Sequence, residues 1–527
     1  MSKSETNAYD DVAYAGYPLA QTHPDRLATL ATLFGMKPAR VACCRVLELG
    51  CGDGGNLIAM AFNLPQSEFS GIDLAPGAIA KGQALVEKLA LKNIVLRHSD
   101  LMQVEPDFGE FDYIIAHGVY SWIPPAVQDK LLEICRNNLA TAGVAYVSYN
   151  TFPGGHLRNM VREMIRFHVR DLTDPQQKIQ QALVLAKFLA ESSLEMDTYR
   201  LFLKEELKQA LSHDRGALYH DELAQVNSSV YFYEFSEHAR RHGLQFLGEA
   251  DFFEMQDHIY TAEVSATLQA IGRNDLLLKE QYLDFLKCRR FRQTLLCRAE
   301  VPLDRGLKPE ILTRFYLASP ARPMSAKPDL IGSTVEEFRG VRGAAVATDF
   351  PLAKAALVRL GEIWPQLIPF SELLSWARLQ TGIAASSHGI TLDRASLELC
   401  EILLHTYKAG LIELHVFRPE YAAAVSERPM ASRLARLQVE SGDILTNLRH
   451  TSVRVEDEIG RQLLRLLDGT RDHATLLRDL SATLSSDDLR SLPVEEPLPH
   501  SPSRAYIRPE ELEENLAKLA RLALLST

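Results

Sequence analysis

The sequence predicts an α/β fold: a doubly wound parallel sheet near the amino terminus, followed by an α+β middle region and mainly helical carboxyl-terminal modules. Two observations support this prediction. From Arg45 to Asn150, apolar strands alternate with helical patterns over short connections, as they do around parallel sheets. Beyond Val301, the composition shifts through proline-bearing segments to an alanine-rich and leucine-rich helical pattern.

Length and charge narrow the class of protein. A chain of 527 residues exceeds what one hydrophobic core supports, so roughly three or four domains are expected. The net charge of −11 argues against nucleic acid as the main partner, because nucleic-acid-binding proteins normally present a basic face. The opening residues form no apolar signal, and no window approaches about 18 apolar residues. We therefore expect a cytoplasmic protein without membrane insertion.

The elements of the predicted sheet follow one another in a regular order. A first strand ends in VLEL, and the strands FSGIDL, NIVLRHSD, FDYIIAHGV and GVAYVSYN follow it, with helices PGAIAKGQALVEKLAL and PAVQDKLLEICRNNL between them. Ligands of open α/β sheets bind beyond the carboxyl ends of the strands. The predicted strand ends carry, in order, the polar residues Glu48, Asp73, Asp100, His117 and Asn150. Together these side chains predict a ligand site.

The stretch VLELGCGDGGN, from Val46 to Asn56, identifies the ligand. Gly50 and Gly52 lie in a turn whose backbone can approach a ligand closely, but such glycines alone leave a dinucleotide and a methyl donor open. Glu48 favours the donor, because a carboxylate repels a pyrophosphate and accepts hydrogen bonds from an amino acid's ammonium. Asp73, at the next strand end, can bind both ribose hydroxyls. S-adenosylmethionine, which carries an ammonium and no phosphate, is therefore the predicted cofactor.

The middle region offers no catalytic signal. Between Phe152 and Gln209, helical patterns predict support or a dimerisation surface, and the later segment YFYEF is interpreted as β-rich, leading through a short helix into the strand LQFLGEA. His238 and His242 stand one helical turn apart, but no Glu lies between them as in H-E-x-x-H and no third ligand is evident. The seven cysteines include no C-x-x-C pair. We expect surface or capping histidines and no metal.

The carboxyl-terminal region is predicted to contain small helical modules. From Pro351 to Phe417, three helices precede the strand LIELHVF, an order compatible with a winged helix, and Thr446 to Leu480 is predicted to form a second module of this kind. A final amphipathic helix begins at Pro509. Winged helices bind DNA or dock proteins, and the few basic residues in the third helix favour docking.

The segments VLELGCGDGGN, GIDL, HSDL and FDYIIAHGVYSWIP resemble the class I S-adenosylmethionine-dependent methyltransferases. Beyond them, SYNTFPGGH and the segment YHDELAQVNSSVYFYEFSEHARRHGLQFLGEA, which looks like a methyltransferase regulatory domain, resemble bacterial, rickettsial-type protein-lysine methyltransferases. The resemblance implies a Rossmann-like sheet of seven strands. With the patterns above, it predicts a donor-binding methyltransferase domain at 1–165, a helical extension and regulatory domain at 166–305, a linker and winged-helix-like domain at 306–430, and a helical or winged-helix-like module at 431–527.

The resemblance also implies roles for individual residues. Asp100 and Leu101 are expected to contact the adenine, and His117 begins a loop over the methionine end of the donor. The full set expected to bind the donor is Glu48, Gly50, Gly52, Asp73, Leu74, Asp100, Leu101, His117 and Tyr17. The leader, NAYDDVAYAGYPLAQTHPDRLATLATLFG, precedes the first strand. Its aromatic residues are expected either to close over the donor as a lid or to pack on the sheet edge: Tyr9, Tyr14, Tyr17 and His23.

The acceptor is read from the residues after the fourth strand. A lysine ammonium, with an ordinary pKa of about 10.4, must lose a proton before it attacks, and a partly apolar slot favours the neutral amine. The catalytic expectation covers Tyr120, Trp122, His117 and Asn150, with His117 as a candidate general base; each could instead serve packing. The sequence HGVYSWIPP lacks the Asn or Asp followed by Pro-Pro and an aromatic of many base methyltransferases, which argues against base methylation.

The function expected from these observations is N-methylation of lysine side chains in a protein substrate. An outer-membrane protein before its export is one candidate partner by resemblance. Methylation of a small molecule remains an alternative, as does a donor-binding regulatory protein. The amphipathic helices after Phe152 make a homodimer plausible.

Overall fold

The computed structural model of the protein describes residues 12, 16–191, 197–212, 216, 218–384, 392–422, 424–488 and 507–527. The chain divides into two compact units. The first comprises the described parts of Met1–Gly16 and Pro24–Leu307, and the second those of Tyr17–His23 and Lys308–Thr527. Among the described residues, no helix has both the length and the apolar character needed to cross a membrane.

One sheet of seven strands forms the centre of the first unit. Its strands are β1 (Arg45–Leu49), β2 (Glu68–Asp73), β3 (Ile94–His98), β4 (Phe111–Ala116), β5 (Leu139–Asn150), β6 (Leu244–Glu249) and β7 (Phe291–Arg298). They lie in the order β3-β2-β1-β4-β5-β7-β6, and β7 is antiparallel to both of its neighbours while β1 to β5 pair in parallel. The five strands predicted in succession along the chain are confirmed, and the seven-stranded α/β class with them.

Helices cover the sheet and extend beyond it. They are α1 (Pro24–Leu33), α2 (Gly55–Asn63), α3 (Pro76–Leu89), α4 (Pro125–Asn137), α5 (Gly154–His168), α6 (Pro175–Ala190), α7 (Thr198–Ser212), α8 (Phe232–Arg241), α9 (Ala262–Asn274) and α10 (Leu276–Lys287). A short 3-10 helix, Tyr120–Trp122, connects β4 to α4. The helices predicted between Phe152 and Gln209 are therefore present as α5 to α7.

The central strands are buried because both faces of a doubly wound sheet are covered. Four of the five residues of β1 are buried, and β4 is buried at five of its six positions. Continuous apolar runs such as VLEL are typical of strands in this environment. On one face, Leu131 and Ile134 of α4 join β4, β5 and Phe235 of α8 in a single core cluster. Full burial of each such apolar side chain contributes about 1.5–3 kcal/mol to the free energy of folding.

The segment YFYEF is helical, and the β-rich interpretation was wrong. Tyr231 precedes α8, and Glu234 in the first turn accepts a hydrogen bond from the Tyr231 backbone N–H at 2.8 Å. Phe232, Phe235 and Ala239 are buried while Tyr233 is 54% exposed, a helical periodicity. Tertiary burial of this apolar stripe outweighs the preference of aromatic residues for strands.

The sheet is completed from the region that follows residue 165. Strands β6 and β7 both lie beyond it, so the first compact unit includes the sequence assigned to the helical extension and regulatory domain. The four domain boundaries remain a prediction. The strand LQFLGEA is confirmed as β6.

The second unit combines small sheets with helices. Its strands are β8 (Tyr316–Ala318), β9 (Arg322–Pro323), β10 (Glu336–Arg339), β11 (Ala345–Thr348), β12 (Ile368–Pro369), β13 (Glu413–His415), β14 (Met430–Ala431), β15 (Ile444–Thr446), β16 (Ser452–Arg454) and β17 (Leu525–Ser526). Its helices are α11 (Pro351–Ile363), α12 (Phe370–Thr381), α13 (Arg394–Lys408), α14 (Arg433–Gln438), α15 (Glu458–Leu466), α16 (His473–Asp488) and α17 (Pro509–Arg521). The predicted helices are all present. Residues of α15, α16 and α17 share one apolar cluster.

Candidate active site

The glycine turn between β1 and α2 brings its backbone to the edge of the sheet. The N–H groups of Gly50 and Cys51 both donate to the Ile72 carbonyl, at 2.9 and 3.0 Å. Gly50 and Gly52 have φ values of +70° and +57°, which favour glycine. A Cβ on Gly50 would lie 2.6 Å from a Val119 methyl group, whereas a Cβ on Gly52 would meet nothing within 4 Å. The turn thus leaves open space beside Gly52.

Asp73 binds this turn to the end of β2. Its Oδ2 accepts from the Gly52 N–H and its Oδ1 from the Ala75 N–H, both at 2.8 Å. Burial raises the pKa of Asp73 despite these hydrogen bonds. Because each carboxylate oxygen has two lone pairs, both can accept a further hydrogen bond from a hydroxyl. The carboxylate is thus held in place and retains capacity for ribose hydroxyls.

Glu48 is a buried carboxyl group that is only partly satisfied. It is 4% exposed, and its Oε1 accepts from Asn56 Nδ2 at 2.8 Å. Its Oε2 is buried with no hydrogen-bond partner in the described part of the chain. Burial raises the pKa of Glu48 to about 8. A buried acceptor without a partner costs free energy unless a ligand or water supplies a donor, and an ammonium supplies one.

These features fit S-adenosylmethionine. The unpaired oxygen of Glu48 suits the ammonium of this molecule, and the Asp73 carboxylate suits its ribose. The open space beside Gly52 lets the molecule lie close to the protein backbone. Gly118, after β4, has a φ of +66° and likewise would place a Cβ in open space. A glycine-lined surface with buried carboxylates accommodates a cationic ligand and disfavours a pyrophosphate.

The leader sequence reaches the glycine turn at one point. A Cβ on Gly16 would lie 2.2 Å from Asp53 Oδ1 and 2.9 Å from the Gly55 nitrogen, so the leader backbone lies directly on the turn. Tyr9 and Tyr14 lie outside the described residues. Tyr17, 37% exposed, and His23 belong to the second compact unit. The lid role of the leader and the donor contact of Tyr17 therefore stay predictions.

The residues expected around the adenine follow β2 and β3. Leu74 is 57% exposed, an apolar surface next to Asp73 that suits a flat ring. Asp100 caps a short 3-10 helix, because its Oδ1 accepts from the Met102 N–H at 2.9 Å. Leu101 is partly buried against the main core cluster. Their adenine contacts remain predictions.

His117 is held neutral after β4. Its Nδ1 is hydrogen-bonded to the Tyr146 hydroxyl at 2.9 Å, and its ring lies against Tyr146 and Phe291. Burial lowers the pKa of His117 to about 4. The next N–H, of Gly118, donates to Ser148 Oγ at 2.8 Å, which fixes the start of the loop. A group with so low a pKa is a weak base at neutral pH, so this environment argues against His117 as a general base.

Tyr120 supports the loop and offers little surface to an acceptor. It is 2% exposed, and its ring packs against Tyr149 and Phe235 at centroid distances of 5.9 and 5.1 Å. Its hydroxyl is hydrogen-bonded to His238 Nδ1 at 2.8 Å. Its ring is taken up by the apolar core between the sheet and α8, which favours the packing role, and its place in the acceptor slot stays a prediction.

Trp122 and Asn150 lie at a junction that includes residues the sequence reasoning missed. Trp122 is half-buried, and the neighbouring Ser121 accepts from the Asn150 N–H at 2.8 Å and from the Ser228 N–H at 2.7 Å. Asn150 Nδ2 donates to Asn227 Oδ1 at 3.0 Å, and Asn227 Nδ2 is buried with no partner in the described structure. The motif QVNSS carries no periodicity that would have indicated this position.

The two histidines of α8 have a third neighbour. Asp129 of α4 is hydrogen-bonded to both His238 and His242, at 2.8 and 3.2 Å. The sequence made no third potential ligand evident, because Asp129 lies 109 residues away from His238 in the chain. His238, at 9% exposure, is also buried and no surface residue.

Comparisons with known proteins agree with this geometry. Three family models match: "Methyltransferase domain" at residues 46–143, "Predicted methyltransferase regulatory domain" at 214–298 and "PKMT, C-terminal winged helix domain" at 427–524. The last places the winged helix in the final predicted module, and the first such module, 351–417, stays a prediction.

Similar proteins cover nearly the whole chain. Uncharacterized protein RP789 of Rickettsia prowazekii is 32% identical over 495 residues, covering 92% of this chain and 88% of that protein. The structure of PKMT2 from Rickettsia typhi is 28% identical with a TM-score of 0.84, covering 97% of this chain and 99% of that one. PKMT2 has also been solved in complex with AdoHcy, with a TM-score of 0.83.

The geometry around Glu48, Gly52 and Asp73 and these similarities lead to the same conclusion. The enzyme is an S-adenosylmethionine-dependent methyltransferase. The chain belongs to the class I S-adenosylmethionine-dependent methyltransferases that carry a methyltransferase regulatory domain and a PKMT-type C-terminal winged helix domain.

Proposed function

We propose that this enzyme methylates the side-chain amine of lysine in a protein substrate. The observation that carries the proposal is the low-polarity environment after β4, where burial alone lowers the pKa of His117 to about 4. The same environment disfavours a lysine ammonium and favours the neutral amine that attacks a methyl group. The whole-length similarity to PKMT2 supports the same acceptor class.

The chemistry asks the protein chiefly to align two molecules. S-adenosylmethionine supplies a methyl group on a sulfonium, whose departure leaves a neutral thioether. Glu48 would hold the ammonium, and Asp73 with Asp100 would hold the nucleoside. Near-attack alignment of this kind supplies on the order of several kcal/mol of barrier reduction.

Trp122 and the Asn150–Asn227 pair are proposed to form the acceptor side of the site. The half-buried indole of Trp122 offers an aromatic face to the amine and to its cationic product. Asn227, whose buried Nδ2 lacks a partner among the described residues, can donate to a carbonyl of the acceptor. His117 is proposed to exclude water and to hold the loop by way of Tyr146, and its donor contact remains part of the proposal.

The acceptor class is tested with isotopically labelled donor. Purified enzyme and donor are incubated with bacterial lysate separated into outer-membrane proteins, remaining proteins and small molecules, and the label is located by mass spectrometry. We expect label on lysine side chains, and no label with the Asp73→Ala enzyme. Label confined to the small-molecule fraction would overturn the lysine proposal and favour a metabolite acceptor.

The role of Trp122 is tested by separating donor binding from transfer. Trp122→Ala should lower kcat/KM for the protein acceptor by about tenfold or more, because an aromatic face next to a cation contributes about 1–2 kcal/mol or more when desolvated. Trp122→Phe should restore part of this loss, and calorimetric donor affinity should change little in either variant. A loss of donor affinity in Trp122→Ala that matches the loss of activity would place Trp122 in the donor site instead.

A further inference from the structure

Three side chains that donor binding and methyl transfer leave unused meet in the first unit, with Asp129 exposed, His242 half-buried and His238 buried. Asp129 Oδ1 lies 2.8 Å from His238 Nε2 and 3.2 Å from His242 Nε2. One candidate ligand atom from each residue lies within 4.8 Å of the other two. Asp129 comes from α4, whereas His238 lies in α8 and His242 directly follows it.

Two imidazoles and one carboxylate are the ligand set of many zinc sites. Bond lengths of about 2.0–2.1 Å place two ligands of a tetrahedral Zn²⁺ about 3.3 Å apart. The two distances to Asp129 are within about half an ångström of that separation. Small side-chain rotations would therefore admit the ion, and the exposed side of Asp129, at 59% side-chain exposure, leaves a fourth position for water.

The second nitrogen of His238 provides an independent observation. Its Nδ1 is hydrogen-bonded to the hydroxyl of Tyr120, a residue that is only 2% exposed, at 2.8 Å. Metal-binding histidines typically have their other ring nitrogen fixed by such a partner, which sets the tautomer and the orientation of the ring. His238 is thus oriented as a ligand, with Nε2 directed towards Asp129 and His242.

Metal binding would change the hydrogen bond at Tyr120. Without an ion, His238 Nε2–H donates to Asp129, and Nδ1 accepts from the Tyr120 hydroxyl. With an ion on Nε2, the neutral ring carries its proton on Nδ1 and donates it to Tyr120. Tyr120 adjoins Ser121, which accepts hydrogen bonds from Asn150 and Ser228, so this change occurs next to the candidate acceptor site.

We propose that Asp129, His238 and His242 form a Zn²⁺ site that joins α4 to the end of α8 and whose occupancy reverses the hydrogen bond between His238 and Tyr120. The site lies within one compact unit and is separate from the donor carboxylates. The proposal does not depend on the nature of the methyl acceptor.

Calorimetric titration of the metal-stripped full-length protein with ZnCl₂ tests the site. We expect one saturable site per chain, weakened at least tenfold in Asp129→Asn and in His242→Ala, two changes at the surface end of the cluster. Cys43→Ser removes an exposed thiol, and His473→Ala removes a histidine that contacts Glu513 elsewhere, so both should bind like the unaltered protein. Unaltered thermal melting of the metal-free variants checks that each is folded.

The orienting role of Tyr120 gives a second readout. Tyr120→Phe removes the partner of His238 Nδ1 and should weaken Zn²⁺ binding by about 10–100-fold without removing a ligand. Absence of saturable binding would overturn the proposal, as would full binding in Asp129→Asn and His242→Ala or loss of binding in Cys43→Ser. Unchanged affinity in Tyr120→Phe would overturn the coupling to Tyr120. Because the readout is binding, failure of the lysine proposal leaves these results unaffected.

Discussion

At the scale of single residues, the donor site is defined by two carboxyl groups in different environments. Asp73 accepts hydrogen bonds from two backbone N–H groups, whereas one oxygen of Glu48 is buried without a partner among the described residues. The fold therefore holds Asp73 in position, whereas Glu48 can still accept a hydrogen bond from a cationic group of a ligand. This difference leads to two separate predictions.

Asp73→Ala should abolish measurable binding of S-adenosylmethionine. Hydrogen bonds to a charged group contribute about 1.5–3 kcal/mol each, so losing two ribose contacts raises Kd by about two orders of magnitude or more. Isothermal titration calorimetry measures the change. Asp107→Ala, at an exposed carboxylate in the loop before β4, is the control and should bind normally. Unchanged affinity in Asp73→Ala would show that the ribose contact is misassigned.

Donor binding near pH 7 should release a proton from Glu48. With a pKa of about 8, Glu48 is mainly protonated in the free protein, and an ammonium partner favours its ionised form. Affinity should therefore rise from pH 6 towards 7.5, above which the donor's own amino group, with a pKa of about 7.7–8.0, begins to deprotonate. Calorimetry in buffers of different ionisation enthalpy measures the proton release. Glu48→Gln should eliminate this contribution, and an unchanged proton count in that variant would contradict the assignment.

At the scale of elements, the turn from β1 to α2 and the segment before α8 build the site together. The turn presents backbone beside Gly52, and the segment at 227–230 brings Asn227 and Val230 against Asn150 at the end of β5. The regulatory sequence thus contributes directly to the candidate acceptor side. A glycine in this turn both adopts a positive φ and leaves space for a ligand. Substitutions at two glycines can separate these two effects.

Gly52→Ala should remove donor binding through the methyl group that it places in open space. The positive φ at Gly52 alone costs an alanine roughly 1–2 kcal/mol of stability. Gly382→Ala is a matched control, because Gly382 has a φ of +70° and a Cβ there would also meet no atom within 4 Å, but it follows α12 in the second unit. Thermal melting should fall similarly for both, and calorimetry should show lost affinity only for Gly52→Ala. Equal donor affinities of the two variants would show that Gly52 does not line the donor site.

At the scale of the whole molecule, a buried ionic network joins β6 and β7 of the seven-stranded sheet to α10. Arg292 of β7 is 0% exposed and donates to Glu249 at 2.6 Å, to Asp284 at 2.9 Å and to Glu280 at 3.2 Å. Its charge opposes the effect of burial on the pKa values of Asp284 and Glu280, which burial nevertheless raises. All four residues lie within the regulatory sequence at 214–298, so the network holds β6, β7 and α10 together at that edge of the sheet.

Arg292→Met should destabilise the first unit by about 3–5 kcal/mol, because it removes the cation shared by three buried carboxyl groups, although Asp284 keeps Arg289 as a second partner at 3.2 Å. Differential scanning calorimetry should show the transition of this unit at lower temperature. Arg240→Met, which breaks an exposed pair with Glu237, is the control and should leave the transition unchanged. An equally small shift for both variants would mean that the network contributes little to stability.

The sequence by itself determined the succession of the first five strands along the chain and the methyl donor. Both depend on local patterns: apolar runs bounded by turns, a glycine turn, and carboxylates at the ends of neighbouring strands, where a parallel sheet must bring them together. The position of β6 and β7 in the sheet and the helical state of YFYEF depended on burial against distant elements. The spacing of Phe232, Phe235 and Ala239 fits a helix, but aromatic residues prefer strands, and only burial decided between the two.

Only the tertiary structure decided which residues meet around the candidate acceptor site and the histidines. Asn150 lies 77 residues from Asn227, Tyr120 lies 118 residues from His238, and Asp129 lies 109 residues from that histidine. Periodicity reports which face of an element is apolar, but not which polar side chain of another element comes to lie opposite it. The donor could therefore be read from one short stretch, while the role of Tyr120 and the Asp129 cluster emerged only when the chain was folded.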